Sequence, residues 1–149
     1  TLKTILLAHC EQHIEERLTS LQSSLTDIEN SRNNETKSSA GDKFETGRAM
    51  MQIEAAKLQR QLTEVLKLRQ AIDQIKRHPP AENVIGAGSL VATNRGLYFL
   101  AIGIGKVKLE GRTIFCTSLE APIGSALLGK RVGETFSFND LEFLIKGIV

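Results

Sequence analysis

The 149-residue chain has no tryptophan, one tyrosine, three prolines and two cysteines. Cys10 and Cys116 fall in different halves of the sequence, too few and too far apart for a disulfide framework or a zinc site. They read as two buried free thiols, which suits a reducing compartment, so the cytoplasm is the expected location. No stretch approaches eighteen consecutive apolar residues, so no membrane-spanning helix and no membrane partner are expected. Thr1-Leu2-Lys3 leads into no long apolar core before a small-residue cleavage site, so no signal peptide is expected either. The net charge is only +2 and is shared almost evenly between the halves. A concentrated basic face is missing, which argues against independent binding of duplex DNA.

Proline and glycine are distributed unevenly, and this divides the chain. Residues 1–78 contain no proline and only Gly41 and Gly47, whereas ten of the twelve glycines and six of the seven aromatic residues follow Asn83. Pro79-Pro80 must end any preceding helix. The expected organisation is a helical domain over 1–78, a linker over 79–83 and a β-rich domain over 84–149.

In the first domain Leu7, Cys10, Ile14, Leu18, Leu21, Leu25 and Ile28 recur at steps of three and four. Met51, Ala55, Leu58, Leu62, Val65, Leu68, Ile72 and Ile75 repeat the pattern. Two helices of about 30 residues, each with one apolar stripe, are predicted. The nearest cover for each stripe is the other, giving an antiparallel coiled-coil hairpin with a polar turn near 30–45 and a monomeric chain. A parallel dimer of longer helices is the alternative. Leu66 is a spare apolar residue able to touch the second domain.

The second domain alternates apolar runs with turn signals. Strands are predicted over 89–93, 97–102, 113–117, 134–138 and 141–145, with turns at Asn94-Arg95-Gly96 and Asn139-Asp140. Residues 122–129 read as one short helix. The fold class is α+β: an N-terminal helical hairpin plus a C-terminal sheet domain with one short helix.

Most chemical motifs fail on inspection. His9 and His13 stand four apart, but Cys10 occupies the place of the catalytic Glu in a metalloprotease helix. Gly124 to Lys130 has phosphate-loop spacing, yet Arg131 replaces the magnesium-holding hydroxyl and the interior reads as helix. No nucleophile with a neighbouring base is evident. What remains is Gly41-Asp42-Lys43-Phe44-Glu45, where the second helix begins. Asp42 as N-cap with Glu45 three residues on is a capping-box arrangement. The same spacing sets two hard oxygen donors close together at the hairpin turn, able to share a Mg²⁺ held mainly by other groups.

Two stretches resemble the Gre family of bacterial transcript-cleavage factors. Gly41-Asp42-Lys43-Phe44-Glu45 is similar to the family's Gly-Asp-Leu-x-Glu-Asn. Residues 121–134, Ala-Pro-Ile-Gly-Ser-Ala-Leu-Leu-Gly-Lys-Arg-Val-Gly-Glu, are similar to its Ser-Pro-Ile/Leu-x-x-Ala-Leu-Leu-Gly-Lys-x-x-Gly-Asp. The resemblance covers nearly the whole chain and implies an FKBP-like second domain. It further implies a transcription elongation factor that binds RNA polymerase, enters its secondary channel with the hairpin turn, and stimulates cleavage of backtracked RNA. Asp42 and Glu45 would then help hold a Mg²⁺ shared with the polymerase and orient water against the nascent RNA 3′ end. The protein would not be an enzyme alone and would bind no cofactor tightly. After Glu45 the chain departs from the family, with Thr46-Gly47-Arg48-Ala49 in place of Asn-Ala-Glu-Tyr. Lys43 and Arg48 would contact RNA phosphates, or pair with the acids and weaken the metal. The alternatives are a channel regulator without cleavage, a coiled-coil adaptor, and a prolyl isomerase. The last is disfavoured by the lack of large aromatics to floor its pocket.

Overall fold

The computed structural model describes residues 1–37 and 41–149, with backbone alone for 34–37 and 41–44. Its order is α1 (Leu2–Lys37), α2 (Gly41–Arg77), β1 (Leu90–Thr93), β2 (Gly96–Ala101), β3 (Gly105–Leu109), β4 (Arg112–Ser118), α3 (Pro122–Leu127), β5 (Thr135–Phe138) and β6 (Leu141–Ile148). The α+β class with an N-terminal helical hairpin and a C-terminal sheet is therefore present. The chain forms two compact units, one of residues 12–69 and one of residues 1–11 with 70–149.

The helices are longer than the expected 30 residues, at 36 and 37. Residues 30–37 are polar but contain neither proline nor glycine. Each such residue costs a helix less than about 0.7 kcal/mol relative to alanine, so α1 runs on past the end of its apolar stripe at Ile28. Gly41 is already helical. Asp42 therefore lies inside the first turn of α2, not at the cap position expected for it; an acid there still meets the positive helix end.

Within the unit of residues 12–69, Ile14, Leu18 and Leu21 of α1 and Leu58 and Val65 of α2 are buried. Leu25, Ile28, Met51, Ala55, Leu62 and Leu68 are half-buried beside them. Glu15 pairs with Arg69 from one helix to the other, which fits their antiparallel order. This pair is exposed and adds little; the apolar stripe does the holding. Leu66, one step round from Val65, stays 41% exposed.

In the other unit the sheet order is β3-β4-β2-β1-β6-β5. β2 and β4 pair in parallel, and every other neighbouring pair is antiparallel. Two hairpins close through two-residue turns with left-handed backbone: Glu110-Gly111 (φ 52° and 73°) and Asn139-Asp140 (φ 51° and 63°). This geometry matches the right-handed strand twist. The strand missing from the sequence expectation is β3, an edge strand whose one buried side chain is Val107. Lysines flank Val107, so its alternation is too short to stand out.

Side chains alternate across the sheet. Val91, Leu100 and Ile145 form one core with Ile85 and Leu127, and Ile123 of α3 packs on it. Phe99, Ile114 and Cys116 are buried on the other side, toward the helix ends that belong to the same unit. There Cys10 is buried as well, and Lys3 Nζ donates to the Val149 carbonyl at 3.1 Å.

The short helix α3 depends on one glycine. A Cβ on Gly124 would stand 1.9 Å from the Ser118 carbonyl oxygen, a backbone atom that cannot swing away. Gly124→Ala is expected to destabilise the fold by roughly 3 kcal/mol through overpacking. Thermal unfolding checks it: a melting temperature within a degree of the parent would show that β4 and α3 can separate freely.

Candidate functional site at the start of helix α2

Four residues carry the sequence expectation: Asp42, Lys43, Glu45 and Arg48. The backbone of all four is helical. The side chains of Asp42 and Lys43 lie outside the described residues, so the structure does not test the pairing of the two carboxylates. Glu45 and Arg48 are both exposed. Neither forms an ion pair with another described residue.

Two carboxylates do not make a resident metal site. Among the described residues no group of three His, Cys, Asp or Glu side chains could hold a metal ion. His9 is exposed and His13 half-buried on α1. Glu45 is exposed, with no cation on it among the described residues.

Sequence reasoning missed the apolar character just beyond. Met50 and Ile53 are 66% and 68% exposed, one helical turn apart on α2. Their signal was present: both stand off the Met51–Ala55–Leu58 stripe and have no apolar face to join.

The second stretch, residues 121–134, is built by its own hydrogen bonds. Pro122 opens α3, where its missing N–H costs nothing. Ala121 N–H donates to Ser118 Oγ at 3.1 Å, and Ser125 Oγ donates to the Leu119 carbonyl at 3.0 Å. Gly129, at φ 82°, ends the turn. Its N–H reaches the Ile85 carbonyl at 2.8 Å while Ile85 N–H reaches the Lys130 carbonyl at 2.9 Å. Gly133 N–H donates to the Ile145 carbonyl at 2.8 Å and leads into β5. Gly124, Ser125, Ala126 and Leu127 are helical, so this stretch is no phosphate cradle, as its sequence indicated.

The remaining reactive groups are buried. Cys10 and Cys116 are free thiols without exposure, as expected. Burial pushes Cys10 up to about 12, with smaller contributions from Cys116 and Glu11. Burial pushes Cys116 up to about 11. Neither is a nucleophile at neutral pH. No helix among the described residues is long and apolar enough to cross a membrane.

Comparison with family models, curated proteins and solved structures finds no match for this chain.

The thiols generate a pH dependence. Below an unfolded thiol pKa of about 8.5 both states keep their protons, and this part of the stability is complete. Above it the unfolded chain loses protons that the folded chain retains. Stability should fall from about pH 8.5 toward 11, by up to about 1.4 kcal/mol per pH unit for each thiol. Denaturant titrations across that range check it. The decline should shrink in Cys10→Ala, and an unchanged decline there would assign it to other groups.

Proposed function

We propose that this protein is a transcription elongation factor that docks on RNA polymerase, presents the turn of its helical hairpin in the secondary channel, and stimulates cleavage of backtracked RNA. The observation that carries the reading is the joint occurrence of two features in one chain. A helical hairpin has Gly-Asp-x-x-Glu where its second helix begins, and a sheet unit holds the Ala121–Glu134 stretch as α3, a glycine turn and the approach to β5. Either alone is weak; their order and spacing match what the Gre resemblance implies.

On this reading the chain's own groups do little chemistry. Asp42 and Glu45 would offer carboxylate oxygens to a Mg²⁺ held mainly by the polymerase, and that ion would supply Lewis-acid activation of water at the RNA 3′ end. Lys43 and Arg48 contribute positive charge nearby, suited to RNA phosphates. The free protein is inert toward RNA because two ligands and no general base are all it brings. Cytoplasmic location and monomeric action follow from the same reading.

The test is RNA cleavage in purified backtracked elongation complexes with Mg²⁺. The intact protein should accelerate cleavage, and Asp42→Ala/Glu45→Ala should lose that acceleration by about 100-fold or more while polymerase binding persists. Binding without cleavage by the intact protein would move the reading to a channel regulator. Absence of polymerase binding would sink it.

A further inference from the structure

On the sheet face that carries α3, the helix covers only part of the width. Beyond Val91, Leu100 and Ile145 the face continues as a row of rings. Phe115 stacks on Tyr98 with centroids 5.3 Å apart and planes at 25°. Phe143 stacks on Phe136 at 5.0 Å and 13°, and Tyr98 meets the Phe143 ring edge-on at 6.2 Å. The two stacked pairs lie on neighbouring strands, at spacings close to the strand separation, while the Tyr98–Phe143 contact bridges across β1. Rings stacked at that spacing across a sheet stand on edge, with their faces turned toward one another and their rims outward.

Cations cap the row. Lys106 Nζ lies 5.6 Å from the Phe115 centroid, the Arg95 guanidinium 5.7 Å from Phe143, and Lys130 Nζ 5.4 Å from Phe136. None of the three has a carboxylate partner among the described residues, whose ion pairs all lie on the helices. The strand positions of this face bear no acid, and β3 adds Lys108 at the register beside Thr113. The nearby acid Glu134 spends Oε2 on the Arg131 amide at 2.5 Å. Leu128 (44%), Val132 (54%) and Leu141 (45%) are exposed aliphatics in the neighbouring chain segments.

We propose that this face docks an acidic, apolar segment of a partner protein, its carboxylates meeting Arg95, Lys106 and Lys130 and its apolar side chains resting on ring rims and exposed leucines. The cations are already oriented by the rings, so less side-chain entropy is lost on binding than for free surface lysines. Single-stranded nucleic acid is the other anion that such a surface suggests. It needs flat ring faces for its bases, and here those faces are taken by neighbouring rings and by the cations. The proposal rests on the reading of this chain as a docking factor only for whose segment it is; the recognition chemistry is that of the face itself.

Tyr98 is the one tyrosine of a chain without tryptophan, so its fluorescence reports on this row. The intact chain is titrated with a synthetic amphipathic peptide of Glu and Leu, with a Lys–Leu counterpart, and with oligouridylate. The Glu–Leu peptide should bind and weaken with salt, while the Lys–Leu peptide should not bind. Lys106→Glu/Lys130→Glu should lose at least about tenfold in affinity, Lys106→Arg/Lys130→Arg should retain it, and the hairpin variant Lys57→Glu should be unaffected. Equal binding of both peptides, binding of oligouridylate instead, no binding at all, or indifference to charge reversal would each overturn the proposal. Polymerase binding that survives charge reversal would overturn this surface alone and leave the elongation-factor reading standing.

Discussion

Ile75 lies so close to Gly88 that a Cβ on the glycine would come within 2.7 Å of the isoleucine Cγ2, and Gly88 itself holds a left-handed φ of 89°. That contact joins the last turn of α2 to the segment that enters β1. Much else depends on it. A sheet with Phe99, Ile114 and Cys116 buried on the side away from α3 needs cover. The helix ends supply it: Leu6 and Cys10 from α1 and Ile72 and Ile75 from α2 are buried in the same unit. Burying each such side chain contributes roughly 1.5–3 kcal/mol, far more than the exposed Glu11–Lys76 pair beside them. The same closure explains the raised thiols, since Cys10 and Cys116 lie inside it.

A consequence is that composition and packing divide the chain at different places. The prolines mark where the backbone stops being helical, and that boundary is plain in the sequence because proline has no N–H to give. Packing follows apolar side chains instead. Residues 1–11 and 70–77 are helical in pattern yet cluster with the sheet. Periodicity records only that a residue has an apolar face, not which partner covers it.

The hairpin was legible because stripes of about six and seven turns leave little ambiguity, and five strands were legible because turn residues bracket them. Leu6 proved to be the buried residue of α1's second turn and Leu7 only half-buried, because steps of three and of four from Cys10 are both helical and the sequence does not choose between them. β3 escaped because an edge strand buries too little to write an alternating pattern. Of the candidate site, the residue types were visible and their geometry was not. Two carboxylates at i,i+3 serve equally as a helix start and as metal ligands, and no sequence rule separates these. The aromatic row was the opposite case. Its phenylalanines were each recognised as strand residues, but their alignment depends on register between β5, β6, β2 and β4. Register of that kind is a long-range property, and the parallel β2–β4 pairing in particular has no local signature.

On the proposed reading the two surfaces would divide labour in a way that follows from their physics. Near the start of α2, Glu45 and Arg48 are exposed, and exposed charges separated by water contribute little affinity at physiological salt. Such a site can direct chemistry but holds a partner weakly. The sheet face has rings, fixed cations and exposed aliphatics together, the mixture from which tight contacts are made. If affinity resides in the sheet unit and chemistry in the hairpin, changes near Glu45 can accumulate without loss of binding. Were the Gre resemblance to hold, Gly47 and Arg48 would then be tolerable departures affecting rate. They would be hard to accommodate in a protein whose hairpin had to hold its partner unaided.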